Sequence, residues 1–227
     1  MVGFLFNYDY MKFLFKFPSR GRPNTFKETL KKHIDFLSNK NEYEFIFTFD
    51  NDDDKMNNDE IKEFIKRQNI NYKIHYGNSK NKIEAINANI GDEDFDVLVL
   101  IADDMIPTIE NYDEIIVDIL TKSKHHLDST IHFNTTRWSN ILDIWCIMGK
   151  TYYDRFKYIY NPIYKSIYAD NEYTEVAKLL DRCIFSEIFL FFHNYSEFIG
   201  DETERKNWVF NSEDEKTYNR RLLNNFN

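Results

Sequence analysis

The sequence predicts an α/β protein built on a mostly parallel sheet flanked by helices. Three observations carry that reading. Strand-like runs alternate with helical patterns through the first half of the chain, a rhythm that implies right-handed crossovers between parallel strands. The run Val97-Leu98-Val99-Leu100-Ile101 is too continuous for a strand with one wet face and matches one covered on both. Polar residues gather where strands end, at Ser19 and Arg20, at Asp50, and at Asp103 with Asp104. The carboxyl ends of parallel strands fall on one edge of an open sheet, and that edge is where ligands bind.

Taken in order, Lys12 to Phe17 is apolar enough for a first buried strand, and Pro18-Ser19-Arg20-Gly21-Arg22-Pro23 forces an irregular loop after it. Thr25 and Glu28 form a capping box ahead of a helix carrying Phe26, Leu30, Ile34 and Leu37 on one face. Glu44 to Asp50 reads as the second strand, Asn58 to Gln68 as a helix burying Ile61, Phe64 and Ile65, and Ile70 to Tyr76 as the third strand. Ser79 is placed to cap a helix bearing Ile83, Ile86 and Ile90. The Val97 to Ile101 strand follows, and Pro107 is expected to block further strand pairing.

The second half is less regular. Tyr112 to Leu120 reads as a helix, Thr130 to Phe133 and Ile144 to Met148 as strands, and the tyrosines between Tyr152 and Tyr168 as core wall rather than a stacking platform. A helical pattern with Tyr173, Val176, Ala177 and Leu180 comes after Asp170-Asn171-Glu172. Phe191-Phe192-His193 ends a late strand, and Ser212 with Glu215 forms a capping box for a terminal helix.

Composition excludes several classes. A chain of 227 residues with 42% hydrophobic and 17% aromatic residues builds a core and is not a disordered protein. A net charge of −9 with interspersed signs leaves no basic stripe, so nucleic acid is excluded as a partner. Cys146 and Cys183 match no zinc spacing and read as buried thiols in a reducing cytosol. No apolar stretch reaches bilayer length, and the N-terminus lacks the features of a signal peptide. Met11 opens a good first strand, so residues 1–10 are an N-terminal extension or follow from an upstream start, and 11–227 form one domain.

The candidate chemistry starts from Asp103 and Asp104. Two adjacent carboxylates repel unless a proton or cation lies between them, and Mg2+ typically takes one or two carboxylates plus phosphate oxygens. The competing reading makes them solvated turn residues. Arg20 and Arg22 either pair with phosphate or serve the surface. Asp50, Asp52 and Asp54 alternate like a calcium loop, but Lys55 and Ile61 stand where its glycine and bidentate glutamate belong, which rules that loop out. A carboxylate at Asp170 or Glu172 is either a helix-start residue or a general base. His193 is either structural or a metal ligand.

The order of these pieces resembles the GT-A glycosyltransferases, near the family-2-like enzymes of phage, viral and bacterial glycan pathways. The pieces are the SRGRP loop, Asp50, the NSKNK segment before EAINANI, ADDM, the stretch GKTYYDRFKYIYNPIYKSIYADNEYTEVA, and a late His. The resemblance implies a Rossmann-like, mostly parallel mixed sheet and a cytoplasmic enzyme moving a sugar from a UDP- or GDP-sugar to a glycan or other hydroxyl acceptor. It implies a divalent cofactor, Mn2+ or Mg2+, on Asp103 and Asp104, with Asp104 the better direct ligand and His193 the third. Ser19, Arg20, Asp50, Lys82 and Asp103 fall where the family meets the nucleotide sugar. Asp170 or Glu172 falls where it keeps its base, although the family's Glu-Asp pair is here Asp-Asn-Glu. A sugar nucleotidyltransferase and a non-catalytic nucleotide- or sugar-binding module are the alternative functions.

Overall fold

The computed structural model describes residues 10–135, 139–194 and 199–227. Nearly all of the residues 1–10 read as an extension lie outside the described residues. The element order is β1 (Lys12–Pro18), α1 (Pro23–Asp35), β2 (Glu42–Asp50), α2 (Asp59–Lys66), β3 (Asn71–Gly77), α3 (Lys82–Asn87), β4 (Val97–Leu100) and β5 (Met105–Pro107). It continues through α4 (Tyr112–Lys122), β6 (Thr130–Phe133), β7 (Ile147–Gly149), α5 (Lys150–Phe156), α6 (Ala169–Leu179), β8 (Cys183–Ser186), β9 (Phe191–His193), α7 (Glu202–Trp208) and α8 (Asn211–Leu222).

Seven strands form one sheet in the order β3-β2-β1-β4-β7-β6-β8. Pairing from β3 across to β4 is parallel, β7 runs antiparallel to both of its neighbours, and β6 pairs parallel with β8. The expected mostly parallel mixed sheet is therefore present. All four residues of β4 are buried, as a strand with helices over both faces requires.

Side-chain alternation sorts β1 between two cores. Phe13, Phe15 and Phe17 join the cluster under α1, α2 and α4, which includes Phe26, Leu30, Ile61, Ile65, Tyr112 and Leu120. Leu14 faces the cluster under α3, α5 and α6, with Ile83, Ile86, Tyr152, Tyr153, Tyr173 and Ala177. Phe15 lies opposite Phe45 in register, and their rings stack with centroids 4.7 Å apart. Lys16 is fully buried, and its ammonium donates to Thr48 Oγ1.

Several local expectations are corrected. Helix α1 begins at Pro23, whose missing N–H suits a first turn, so Thr25 is already inside the helix and its Oγ1 donates back to Arg22 O. Asn81, not Ser79, caps α3 by accepting from Glu84 N at 2.9 Å. Helix α8 starts at Asn211 after Phe210, without a side-chain cap, so the Ser212–Glu215 box is not used. Pro107 does not end strand pairing: β5 leaves the main sheet and forms a separate antiparallel ribbon with β9, Pro107 opposite Phe191 and Met105 opposite His193. Strand β7 begins three residues later than expected, and Cys183 is half-buried rather than buried.

Candidate active site

Because β1, β2 and β4 run parallel, Ser19, Asp50 and Asp103 emerge at one edge of the sheet. Ser19 Oγ donates to Asp103 Oδ1 at 2.7 Å, and Arg22 lies 3.7 Å from Asp103 Oδ2. Thr29 Oγ1 from α1 donates to the Asp103 carbonyl at 2.7 Å and fixes the turn from beneath. Burial, helped by the Asp104 and Asp201 charges, pushes the Asp103 carboxyl up to about 7 against the pull of Arg22 and Ser19.

Asp104 behaves oppositely. Burial alone raises it, but the hydrogen bond and charge of His193, with Lys82 and Arg22, hold it below the ordinary carboxylate range. The β5–β9 ribbon supplies that histidine: His193 Nε2 lies 3.1 Å from Asp104 Oδ2, and Asn194 N donates to the Asp104 carbonyl at 2.9 Å. The two adjacent acids thus titrate apart, which relieves their mutual repulsion.

At the end of β2, Asp50 accepts from Arg20 at 2.6 Å and from Ser79 N at 3.1 Å. Arg20 also grips both oxygens of Asp52, at 2.6 and 2.9 Å. The loop after β1 is closed from the C-terminal side, where Asp201 accepts from Arg22 Nε at 2.8 Å and Thr203 Oγ1 donates to Arg20 O at 3.1 Å. These two acidic anchors of the SRGRP loop, Asp52 and Asp201, carry no sequence signal of their own. They become visible only once the fold brings them to the loop.

Lys82 is exposed at the first turn of α3. Its charge lowers the proton affinity of Asp104 and also that of Asp170 in α6. Asp170 is half-buried, and burial raises its carboxyl above the ordinary value against Lys82 and the Asn171 amide. Among the described residues, the hydrogen bond its carboxylate accepts comes from Asn171 N at 3.0 Å.

Glu172 is placed differently. Two residues along an α-helix turn the side chain by roughly 200°, so Asp170 and Glu172 face opposite ways. Glu172 is 4% exposed and both its oxygens are occupied. Asn161 donates at 2.7 Å, Tyr164 at 2.7 Å, and Arg221 in α8 donates two bonds at 2.6 and 3.0 Å.

Asp104 and His193 offer a carboxylate oxygen and an imidazole nitrogen side by side, a donor set that a first-row divalent ion accepts. Among the described residues no group of three or more His, Cys, Asp or Glu side chains is gathered for a metal.

The structure is similar to solved glycosyltransferases. A mannosyltransferase from Pyrobaculum calidifontis, in complex with GDP-Man and Mn2+, superposes with a TM-score of 0.61 at 10% identity, over 81% of this chain and 57% of that one. TarS of S. aureus, residues 1–349 in complex with UDP, gives 0.62 at 16% identity, over 86% of this chain and 68% of that one. The same protein with UDP-GlcNAc gives 0.60 at 16% identity, over 80% and 58%. The fold is one that glycosyltransferases use. This chain spans little more than half the length of the mannosyltransferase. No protein-family model and no curated protein matches the sequence. Among the described residues no helix is long and apolar enough to cross a membrane.

Proposed function

We propose that the chain is a divalent-metal-dependent glycosyltransferase that moves a sugar from a UDP- or GDP-sugar to an acceptor hydroxyl with inversion at the anomeric carbon. The observation that supports the reading is the meeting of Ser19, Asp103, Asp104 and His193 at the sheet edge where β1 and β4 end, with the Lys82 charge acting on both Asp104 and Asp170. Fold likeness to enzymes solved with GDP-Man and Mn2+ and with UDP-GlcNAc supports the donor class.

In this reading Asp104 and His193 hold the ion, with Asp103 beside them, and the ion supplies charge neutralisation for a departing nucleoside diphosphate. Arg22 and Lys82 add cationic charge at the same rim, and Asp50 with Arg20 and Ser19 frames the nucleotide. Asp170 is the base. Ionised, it accepts the proton of the acceptor hydroxyl as the oxygen attacks the anomeric carbon and the diphosphate leaves. Such positioned proton transfer contributes about 10²- to 10⁴-fold. Glu172, fully hydrogen-bonded and turned away, acts as a structural anion.

The experiment is a screen of UDP- and GDP-sugars for nucleoside diphosphate release, with and without Mn2+, on the parent chain and on Asp104→Asn and Asp170→Asn. Mn2+-stimulated release lost in both variants is the expected result. Release of pyrophosphate from a sugar 1-phosphate and NTP instead identifies a nucleotidyltransferase. Nucleotide-dependent thermal stabilisation without turnover leaves a binding module.

A further inference from the structure

Helix α8 docks in an unusual way. Its buried residue is a carboxylate, Asp214, rather than an apolar stripe. Asp214 accepts three backbone N–H groups, from Lys165 at 3.0 Å, Ser166 at 2.8 Å and Ile167 at 2.9 Å. Nearly two helical turns on, Arg221 forks onto Glu172 and also donates to the Phe226 carbonyl at 2.7 Å. Between them Tyr218 packs against Tyr168 at 5.5 Å. Apart from the bond to Phe226, these contacts land between residues 165 and 172, on the turn that leads into α6 and on its first turn. Tyr168, which precedes α6, has φ of 64°, a left-handed conformation that a bulky residue adopts only when its surroundings enforce it. A helix serving general stability would be expected to bury apolar area. This one applies directed polar bonds to a single strained segment.

We infer that Arg221 is a positioning residue for catalysis: by holding Glu172 it fixes the rotation of α6 that presents Asp170 to the cleft. The inference rests on the reading of Asp170 as the base. It gives the terminal helix a place in the reaction by way of Glu172 and the first turn of α6. Misplacement of a reacting group by about 1 Å is enough to slow a reaction by roughly 100-fold.

The test uses the full chain and the UDP- or GDP-sugar that gives the fastest Mn2+-stimulated hydrolysis. Arg221→Met is expected to lower kcat roughly 10- to 100-fold with the nucleotide-sugar KM unchanged, and Arg221→Lys, which keeps the charge without the fork, to recover part of it. Leu120→Ala, buried in the opposite core, serves as the control that loses stability without losing kcat. Amide hydrogen exchange is expected to accelerate across residues 165–174 in Arg221→Met and to stay unchanged in β1–β4. Parental kcat in Arg221→Met alongside an inactive Asp170→Asn overturns the positioning role and leaves the base in place. A fully active Asp170→Asn removes the base and the positioning role together. An equal loss of kcat in Leu120→Ala, or unaltered exchange across 165–174 in both Arg221 variants, overturns the inference whatever the turnover of the parent.

Discussion

Lys16 offers a test of the fold that needs no substrate. Its side chain is fully buried, and its ammonium has the Thr48 hydroxyl of β2 as a partner in place of a carboxylate. Burial depresses it from 10.5 to about 7. Below pH 7 both the folded and the unfolded chain carry the proton, so folding bears the full cost of burying the charge. Between pH 7 and 10.5 the folded chain has released the proton while the unfolded chain keeps it, and stability rises with pH. Above 10.5 the cost is gone. At about 1.4 kcal/mol per pKa unit, the drop from 10.5 to about 7 corresponds to about 5 kcal/mol. Lys16→Met keeps the shape of the chain and removes the charge, while loss of the bond to Thr48 costs about 1 kcal/mol. The net gain below pH 7 is about 4 kcal/mol, or roughly 10 °C in Tm for a chain of this size. Calorimetric unfolding of both proteins at pH 6, 8 and 10 measures it, and the difference between them is expected to shrink as pH rises. A variant less stable than the parent at pH 6, or a pH-independent difference, refutes the reasoning.

Other outcomes follow from the site and its supports. Glu172→Gln leaves Arg221 with a neutral partner and is expected to lose about 3 kcal/mol of stability, whereas Asp170→Asn keeps parental stability; urea unfolding separates them. Since burial raises Asp170, the acid limb of the pH–rate profile is expected above the ordinary carboxylate value of 3.8, with activity lost as pH falls through it. Lys82→Met takes away the charge that opposes this rise and is expected to move that limb to higher pH. Gly149→Ala is expected to cost about 3 kcal/mol or more, because a Cβ there meets the Leu127 carbonyl oxygen at 2.2 Å. A thermal melt of that variant within 2–4 °C of the parent (about 1 kcal/mol) would contradict the packing at the end of β7.

Strands β1 to β4 were legible because each is a local run, and their shared edge follows from topology alone. The caps were less so: Thr25 and Glu28 have the right spacing, but Pro23 starts the helix earlier, and Asn81 outcompetes Ser79 by standing next to the first helical residue. Phe191-Phe192-His193 reads as a strand and is one, but the three residues of β5 carry no periodic signal, so Pro107 reads as a terminator. Asp170 and Glu172 are equivalent as letters in one turn. What distinguishes them is helix rotation and Arg221, 49 residues away from Glu172. Polar partners at such separations leave no mark on local pattern. For the same reason nothing in the sequence sets Asp214 apart from its neighbours in the terminal helix.

The Asp104–His193 contact joins residues 89 positions apart. A chain still emerging from the ribosome has every strand from β1 to β4 in hand long before the histidine is made. The rim pair is thus a seam sewn last. Closing it across such a span costs little more entropy than a far shorter loop, since that cost grows only with the logarithm of length. Cutting the backbone between β5 and β9 would change the matter entirely: Asp104 then lies on one fragment and His193 on the other, so the seam becomes a meeting of two molecules and its strength depends on their concentration.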